Sequence, residues 1–275
     1  MPGEVRPLAA GDIPWLRASL AHDPVANCFV AARLEAVGAR LTTDVSVYAV
    51  AGMPRAALYL GANVIPVATD DESREAFATH LRRTGRRGSS MVGPASEVLD
   101  LWDRVRDAWG PAREERRHQP LLAITKAPDV APDEGVRTVR MDELDLLLPA
   151  CVAMFTEEVG VSPLAGGASS AYRARIAELI RDGRAYARID GDTVVFKAEV
   201  GASSAAACQV QGVWVAPELR GQGLSVPGMA AVVLAARREC APIVSLYVND
   251  YNTAARQCYR SVGFDEVGEF ATILF

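Results

Sequence analysis

The residues with the clearest potential for chemistry form a short turn between an apolar strand and an apolar helix. The strand holds Val213, Trp214 and Val215, and the turn that follows, RGQGLS, runs from Arg220 to Ser225. Glycines let a backbone approach a ligand closely, the first N–H groups of a helix have no partners within it, and the helix dipole favours an anion. A turn of this kind between a strand and a helix predicts binding of a phosphate group.

Two common phosphate-binding motifs do not fit this turn. A P-loop requires Lys and then Ser or Thr after its last glycine, and here Leu224 follows Gly223. A dinucleotide-binding fingerprint requires a third glycine three positions after the second, and Val226 occupies that position. The comparison of motifs therefore argues against a nucleotide-binding protein.

The pattern that does fit is Arg220-x-x-Gly223-x-Ser225 after a hydrophobic strand. It resembles the pyrophosphate loop, R/Q-x-x-G-x-G/A, of the GNAT family of acetyl-CoA-dependent N-acyltransferases. Ser225 departs from the family pattern in the last position. Because serine is small and keeps its backbone N–H, we expect binding to survive this departure.

A second stretch, IVSLYVNDYNTAARQCYRSVGF at residues 243–264, is similar to the last strand and helix of the same family. The residues that stand at the family's spacing are Asn252, Ala255, Tyr259, Gly263 and Phe264. Two motifs in this order and this close together make the resemblance specific. Within the family, the segment most resembles the FR47-like branch, which includes glycine N-acyltransferase-like proteins.

The resemblance implies a site for acetyl-CoA. Backbone N–H groups of the turn would bind the pyrophosphate, and the residues concerned are Arg220, Gly221, Gln222, Gly223, Leu224 and Ser225. The strand of Val213, Trp214 and Val215 would splay from its neighbour and pair with the pantetheine arm. Asn252 would cap the last helix and contact the cofactor, and Tyr259 would protonate the departing thiolate. The alternatives are a surface turn without a ligand, an ordinary core strand and a packed helix tyrosine.

An acceptor amine must lose a proton before it attacks a thioester, because amines are mostly protonated at neutral pH. Many members of the family place a glutamate on the strand before the glycine turn. Here the corresponding positions hold Gln209 and Gln211, which cannot accept a proton. The base must therefore come from elsewhere, unless a chain of water molecules carries the proton to solvent.

Three other glutamates are candidates for contact with the acceptor. Glu199 lies on the preceding predicted strand, VVFKAEV, where alternation places it on the same face as Lys197. Glu157 and Glu158 fall in a predicted loop that would border the acceptor site. All three are candidates for the base; Glu199 is assigned as catalytic, and Glu157 and Glu158 are assigned as substrate-binding residues. The alternatives are a solvent-facing charge for Glu199 and the polar end of a helix for the pair.

Composition excludes several classes of partner. The net charge of −5 gives no field that would attract nucleic acid or an anionic membrane, and no apolar stretch approaches the length of a membrane span. The first residues, MPGEVRPLAAGDIPWLR, lack the apolar run of a signal peptide. Five scattered cysteines without a framework indicate a reducing compartment, so we expect a cytoplasmic protein. The three histidines have no metal-ligand spacing, and no metal is predicted.

The chain is long enough for two domains, and its composition suggests where they meet. The stretch APDVAPDEG at residues 127–135 is rich in proline and acidic residues and predicts a linker. The predicted domains are therefore residues 1–126 and residues 136–275. Both have the element order strand, helix, helix, strand, strand, helix, strand, helix, strand, with one further strand in the second.

The two halves resemble copies of one unit. VRPLAAGDIPWL, beginning at Val5, has the same pattern as VRTVRMDELDLL, beginning at Val136. In each, a strand precedes a helix that an aspartate is predicted to cap, Asp12 in the first and Asp142 in the second. In the second half the strand is predicted over 136–140, and a Gly- and Ser-rich loop over 156–169.

The first half lacks the predicted chemistry. Where a glycine turn should precede its central helix, it has VIPVATDDES, and the aspartates would repel a pyrophosphate. No tyrosine occurs in its last helix either. We interpret this half as a degenerate copy that has lost the cofactor site.

Together these observations predict an α+β fold of two tandem GNAT-like domains, each a mixed, mostly antiparallel sheet flanked by helices. The predicted activity is that of an acyltransferase of class EC 2.3.1. It would move an acetyl or other short acyl group from acetyl-CoA to a primary amine by direct attack in a ternary complex. The acceptor, a small molecule or a protein amine, stays open, as does the choice between monomer and homodimer. The alternative is a regulatory or scaffolding protein that binds acyl-CoA without turnover.

Overall fold

The computed structural model describes residues 3–275, which form two compact units of mixed α/β structure. The first unit extends to Leu122 and includes Tyr247–Asn252 and Glu266–Phe275. The second comprises Ala123–Leu246 and Thr253–Asp265. Neither unit is a continuous segment, because residues from the end of the chain contribute to the first. The linear division at residues 127–135 stays a prediction.

Both halves of the chain alternate helices with strands. The elements up to residue 124 are β1 (Glu4–Pro7), α1 (Ile13–His22), α2 (Cys28–Val37), β2 (Val45–Val50), β3 (Met53–Leu60), β4 (Asn63–Val67), α3 (Asp71–Thr84), β5 (Ser90–Pro94), α4 (Ala95–Trp109) and β6 (Glu114–Ile124). Those that follow are β7 (Arg137–Thr138), α5 (Leu144–Val159), α6 (Ser169–Arg181), β8 (Ala185–Asp190), β9 (Thr193–Ser203), β10 (Ala207–Val215), α7 (Ser225–Glu239), β11 (Ile243–Tyr247), α8 (Thr253–Val262) and β12 (Asp265–Leu274).

The strand order of each unit confirms the predicted mixed, mostly antiparallel sheet. In the first unit the order is β1-β2-β3-β4-β5-β12-β6, with β4 and β5 parallel and β12 antiparallel to β5. In the second unit the order is β11-β10-β9-β8-β7, with β10 and β11 parallel. Each unit thus combines an antiparallel meander with one parallel pair.

Helices cover both faces of the second sheet, which explains why its central strand is buried. Helices α5 and α7 both contact β9 and β10. Gly228 of α7 lies against the Phe196 ring, where an added Cβ would come within 3.0 Å of the ring atoms. The absence of a side chain at this position allows the helix to approach the sheet closely. Since β9 is covered on both faces, polar side chains at its middle must find partners inside the protein.

The same ion-paired turn opens both halves of the chain. In the first, the Asp12 carboxylate accepts hydrogen bonds from the Arg6 guanidinium at 2.6 Å and from the Ala9 N–H at 2.8 Å. In the second, the Glu143 carboxylate accepts from the Arg137 guanidinium at 2.7 and 2.8 Å and from the Arg140 N–H at 2.8 Å. The sequence offsets within the two turns are identical.

These turns correct the predicted helix caps. Asp12 does not cap α1, because its carboxylate bonds the backbone N–H three residues earlier in a 3-10 turn. In the second turn the Glu143 carboxylate accepts the corresponding bond from the Arg140 N–H, while Asp142 pairs with the side chain of Arg140. The longer side chain of a glutamate reaches back across the turn as well as that of an aspartate does. The sequence pattern of a helix cap therefore does not distinguish Asp142 from Glu143.

Two predicted boundaries in the second half were wrong. The strand predicted over 136–140 is only Arg137–Thr138, because the ion-paired turn begins directly after it. The loop predicted over 156–169 is shorter, since α5 continues to Val159 and α6 begins at Ser169. Glu157 and Glu158 are therefore helical residues in the last turn of α5.

The Glu143 turn predicts a stability difference that depends on pH. The Arg137 guanidinium, opposed by burial and assisted by the Arg140 N–H, lowers the pKa of Glu143 to about 2. The folded chain thus favours the ionised form of Glu143. The resulting contribution to the free energy of unfolding is complete above about pH 4.5 and is lost as the pH falls from 4.5 towards 2. We expect Glu143→Gln to lower the free energy of unfolding by about 1–2 kcal/mol at pH 7.

Urea denaturation at a series of pH values measures this difference. The gap between the wild-type chain and Glu143→Gln should close below pH 4.5. Glu134→Gln, at an exposed glutamate of the predicted linker, is the matched control and should change stability little at any pH. A gap that is the same at pH 3 and at pH 7 would contradict the ionic origin.

Candidate active site

The glycine turn of the second unit presents a row of unpaired backbone donors. A 3-10 turn, Pro217–Leu219, ends β10, and Gly221 and Gly223 follow with φ of +77° and +78°, in the region that favours glycine. Among the described residues, none accepts a hydrogen bond from the N–H groups of residues 221–226. No acidic residue lies in the first turn of α7, and its N-cap residue, Leu224, has no side chain that could cap it. The result is an exposed concentration of donors at a helix N-terminus.

Arg220 differs from the rest of the predicted turn. Its N–H donates to the Pro217 carbonyl at 3.3 Å, so it is not one of the free donors that the sequence predicted. Its side chain turns back from the turn, donating to the Val215 carbonyl at 3.1 Å and pairing with Glu157 at 2.7 Å. The Trp214 indole N–H donates to the other oxygen of the same carboxylate at 3.3 Å. Glu157 therefore joins the end of α5 to the end of β10.

The predicted substrate-binding residues thus have different surroundings. Glu157 is about half exposed and engaged with Arg220 and Trp214. Glu158, the next residue of α5, is exposed. Both lie where α5 ends, as the sequence suggested, but on a helix rather than on a loop.

Strand β10 separates from its parallel neighbour before it reaches the turn. Residues Ala207–Gln209 pair with Ile243–Ser245 of β11, and no pairing with β11 is found beyond them among the described residues. The rest of β10 pairs with β9 alone. The Ala216 N–H donates to the Val195 carbonyl of β9, so alternation directs the backbone groups of Val215 to the opposite side. The predicted splaying of the strand agrees with this geometry.

A bulge interrupts β10 where the two strands diverge. The register shifts between Gln211 and Trp214, so that one extra residue of β10 lies opposite β9. Gly212, with φ of +61°, stands at this bulge. A Cβ added there would lie 2.9 Å from the Met154 side chain, 3.1 Å from Lys197 Nζ and 3.3 Å from the Glu199 carboxyl carbon. The bulge therefore lies directly against a buried pair of charges.

That pair consists of Lys197 and Glu199 on β9. Lys197 is 1% exposed and Glu199 6% exposed, and Lys197 Nζ lies 3.3 Å from Glu199 Oε2. The other carboxylate oxygen accepts from Gln211 Nε2 at 2.9 Å, and Lys197 Nζ also lies 3.5 Å from Cys151 Sγ. Glu199 is therefore not the solvent-facing charge that the sequence left open. Its carboxylate lies beside Gln211 of β10.

Tyr259 on α8 is packed but chemically available. It is 7% exposed, and its ring lies edge-on to Phe264 with 5.9 Å between ring centroids. None of the described residues accepts a hydrogen bond from its hydroxyl group. Burial, together with the nearby Cys258 and Glu158, raises the pKa of Tyr259, which keeps the hydroxyl protonated at neutral pH. Its hydroxyl group is thus protonated and has no acceptor among the residues that the structure describes.

The ends of α8 are defined by other predicted residues. Gly263, with φ of +105°, ends the helix, and its N–H donates to the Tyr259 carbonyl at 3.2 Å. Asn252 comes directly before the helix, and its own N–H donates to the Asn249 carbonyl at 2.9 Å. Burial raises the pKa of the Cys258 thiol, and the Ser225 hydroxyl group opposes this rise.

The corresponding helix of the first unit, α3, has a closed N-terminus. The Asp70 carboxylate accepts from the Ser73 N–H at 2.8 Å, and Asp71 and Glu72 lie in the first turn. These side chains satisfy a donor and surround the helix end with negative charge. An anion would be repelled there, as the sequence predicted.

Lys197 is the residue of this region that sequence reasoning missed as a functional candidate. The signal was present, because alternation along VVFKAEV places Lys197 and Glu199 on one face of an otherwise apolar strand.

Within residues 3–275, no group of three His, Cys, Asp or Glu side chains is arranged to hold a metal ion. In the same part of the chain, no helix combines the length and apolar character needed to cross a bilayer.

Comparison with family models gives two matches. Residues 178–264 match the acetyltransferase (GNAT) family, and this range contains the glycine turn, the bulge, the buried pair and Tyr259. Residues 43–147 match a domain of unknown function, DUF4081. No curated protein matches the chain.

Solved structures share the fold over the whole chain. A GCN5-related N-acetyltransferase from Sphaerobacter thermophilus has a TM-score of 0.64 and 16% identity, covering 98% of this chain and 94% of its own. A tandem GNAT protein from the clavulanic acid biosynthesis pathway has a TM-score of 0.57 and 18% identity, covering 99% and 98%. A GNAT-family acetyltransferase from Colwellia psychrerythraea has a TM-score of 0.58 and 11% identity, covering 99% of both chains. These matches show a GNAT fold, and the similarity to the GNAT family model is confined to residues 178–264.

The contacts of Gly212 predict a cost of substitution that can be separated from backbone strain. Gly212 and Gly191 have the same φ of +61°, but a Cβ at Gly191 would meet nothing within 4 Å. We expect Gly191→Ala to cost about 1 kcal/mol of unfolding free energy from its left-handed backbone alone. Gly212→Ala should cost about 1–3 kcal/mol more, because it crowds Met154 and the buried pair. Chemical denaturation of both variants measures this difference, and equal losses would show that the neighbours of Gly212 yield freely.

Proposed function

We propose that this chain transfers an acetyl or other short acyl group from acetyl-CoA to a primary amine, by direct attack in a ternary complex. The observation that carries the proposal is the row of backbone N–H groups at residues 221–226, which lack acceptors and stand at the N-terminus of α7 beside the free edge of β10. The GNAT fold and the family match of residues 178–264 favour the same activity.

The glycine turn fits a pyrophosphate group. N–H groups clustered at a helix N-terminus bind anions, and phosphate oxygens supply several acceptors at once. A Cβ added at Gly221 or Gly223 would meet nothing within 4 Å, so the space in front of the turn is open. The dipole of the fifteen-residue helix α7 adds attraction for the negative charge.

The edge of β10 fits the pantetheine arm, which carries amide groups that can pair like a strand. After Gln209 the strand has no parallel neighbour among the described residues, and the backbone groups of Val215 are directed to that open side. We propose that Val213 and Val215 bond these amides, with Trp214 held in place by Glu157. Arg220 already bonds the Val215 carbonyl and would leave the N–H groups available.

Bound acetyl-CoA would supply the acyl group as an activated thioester. Tyr259 would then donate its hydroxyl proton or a hydrogen bond to the sulfur as it leaves, because a protonated thiol is a better leaving group than a thiolate. Its raised pKa keeps the proton in place until it is needed, and its hydroxyl has no competing acceptor among the described residues. Asn252, at the start of the same helix, would contact the cofactor.

Glu199 would receive the hydrogen bond, and then the proton, of the attacking amine. Its carboxylate lies against the bulge at Gly212, on the face of β9 that α5 covers. Glu157 and Glu158, at the end of α5, would border the path of the acceptor. This assignment gives the two protons of the reaction separate partners, Tyr259 at the sulfur and Glu199 at the nitrogen.

We further propose that the first half is a degenerate copy of the second, in an FR47-like chain. The matching ion-paired turns of Arg6 with Asp12 and of Arg137 with Glu143 support the duplication, as does the shared element order. The acidic, self-capped N-terminus of α3 supports the loss of the cofactor site. The second half would then hold the single working site.

The alternative function is a protein that binds acyl-CoA without turning it over. Gln209 and Gln211 in place of a strand glutamate favour it. The unpartnered hydroxyl of Tyr259 argues against it, because a binding protein has no need for a proton donor at the sulfur. Turnover measurements distinguish the two.

The glycine turn predicts the effect of a new negative charge. Gly223→Asp places a carboxylate among the free N–H groups, where it satisfies them and repels phosphate, so we expect affinity for acetyl-CoA to fall at least about tenfold. Calorimetric titration of acetyl-CoA measures it. Gly191→Asp is the control, because it adds the same charge at a glycine of similar φ that is distant in sequence from the turn. This variant should bind acetyl-CoA with the affinity of the wild type. Equal affinities for all three proteins would contradict the assignment of the turn.

Tyr259 predicts a separation of turnover from binding. Tyr259→Phe keeps the ring that packs on Phe264 and removes only the hydroxyl, so acetyl-CoA affinity should stay within about twofold while kcat falls by about 10²-fold or more. Thiol release in the presence of primary amines measures kcat. Unchanged kcat in Tyr259→Phe would remove the residue from its proposed role.

A further inference from the structure

The pair of Lys197 and Glu199 is a costly feature for a strand at the centre of a sheet. Both side chains are almost completely excluded from solvent. Moving two charges out of water carries a large desolvation penalty, and a buried ion pair often stabilises a protein no more than apolar side chains of the same size. Stability alone therefore gives little reason for charges at these positions. Their location beside the β10 bulge supplies another reason.

The contacts of Glu199 fix the direction of its carboxylate. Oε2 faces the Lys197 ammonium group at 3.3 Å, and Oε1 accepts from Gln211 Nε2 at 2.9 Å. The ammonium lies 3.5 Å from Cys151 Sγ of α5, whereas Gln211 is exposed on β10. Both charged groups lie against the bulge, and the bond from Gln211 directs one carboxylate oxygen of Glu199 towards the exposed part of β10.

Among the described residues, the side chains that face this pair from the neighbouring elements are uncharged. From α5 it faces the Cys151 thiol, whose pKa is raised by burial and which is thus neutral, and from β10 it faces Gln211. On β8, the residues opposite Glu199 and Lys197 are Ala185 and Ala187. Tyr172 of α6, whose pKa burial also raises, donates its hydroxyl proton to the Cys151 carbonyl.

Lys197 itself stays charged in this environment. Burial acts to lower the pKa of Lys197, but Glu199 and Cys151 outweigh it, so that the pKa is raised. The ammonium group therefore places a positive charge 3.3 Å from Glu199 Oε2.

We propose that Lys197 is a positioning residue for acyl transfer, which holds Glu199 as an ionised and oriented carboxylate at the β10 bulge. This inference rests on the proposed function, because it assigns Lys197 to the reaction through Glu199. Lys197 touches neither the acyl donor nor the amine. Its effect on the reaction passes entirely through the charge and direction of one carboxylate.

Replacement of Lys197 by Met tests this dependence. The methionine fills a similar volume but leaves Glu199 buried without a counter-ion, so the carboxyl group should bind a proton at neutral pH. We expect kcat/KM of Lys197→Met at pH 7 to be at least about tenfold lower than in the wild type. At higher pH, Glu199 should ionise again and the rate should recover. The acid limb of the pH–rate profile therefore moves to higher pH.

The experiment compares four proteins: the wild type, Lys197→Met, Glu199→Gln and the double variant. Rates are measured between pH 5.5 and 9.5 with acetyl-CoA and butylamine, glycine or a lysine peptide, keeping the amine that the wild type acetylates fastest. If Lys197 acts only through Glu199, adding Lys197→Met to Glu199→Gln should cause no further loss. Lys126→Met, at the other lysine of the chain, is the matched control and should behave as the wild type.

Infrared spectroscopy gives a readout that needs neither substrate. A protonated carboxyl band should appear at pH 7 in Lys197→Met, disappear at high pH, and be absent from the double variant. Thermal unfolding confirms that each variant is folded. An acid limb that is unmoved in a folded Lys197→Met, or the absence of the carboxyl band, would overturn the positioning role while leaving the proposed function intact. A wild-type chain that binds no acetyl-CoA would overturn the proposed function, and this role with it.

Discussion

The requirement that backbone N–H groups find acceptors organises the second unit more than any other constraint. Strands and helices satisfy it internally, and the segment 221–226 does not. The chain reaches this exposed state through two glycines with positive φ and through an N-cap residue, Leu224, that offers no acceptor. The separation of β10 from β11 leaves a second set of groups open next to it. Under the proposed function, a ligand with both phosphate and amide groups would satisfy the two sets together.

The glycine turn and α8 were predictable from sequence because their chemistry is local. A turn residue, a helix N-terminus and a tyrosine seven residues after Asn252 keep their relations in any fold that preserves the two elements. The mixed sheet was predictable for the same reason, since its strands follow one another closely. The predicted splaying of β10 came from the resemblance to a known family, and the pairing pattern agrees with it.

The contacts that sequence reasoning missed join residues far apart in the chain. The length of α5 decides that Glu157 is helical, and only the fold brings it to Arg220 and Trp214. The ion pair at Glu199 depends on how completely α5 covers β9, which no pattern in VVFKAEV reveals. The pairing of β12 with β5 joins the end of the chain to its first half, so the compact units are not the simple segments that a linker suggests.

The close approach at Gly212 has a consequence for how this sequence can change over time. Met154, Lys197, Glu199 and Gly212 come from three elements and share one small volume. A larger residue at any one of these positions requires a smaller one at another. Loss of the charge at Lys197 or at Glu199 leaves the other charge buried without a counter-ion, at the full cost of its desolvation. We therefore expect substitutions at these four positions to be tolerated in compensating combinations.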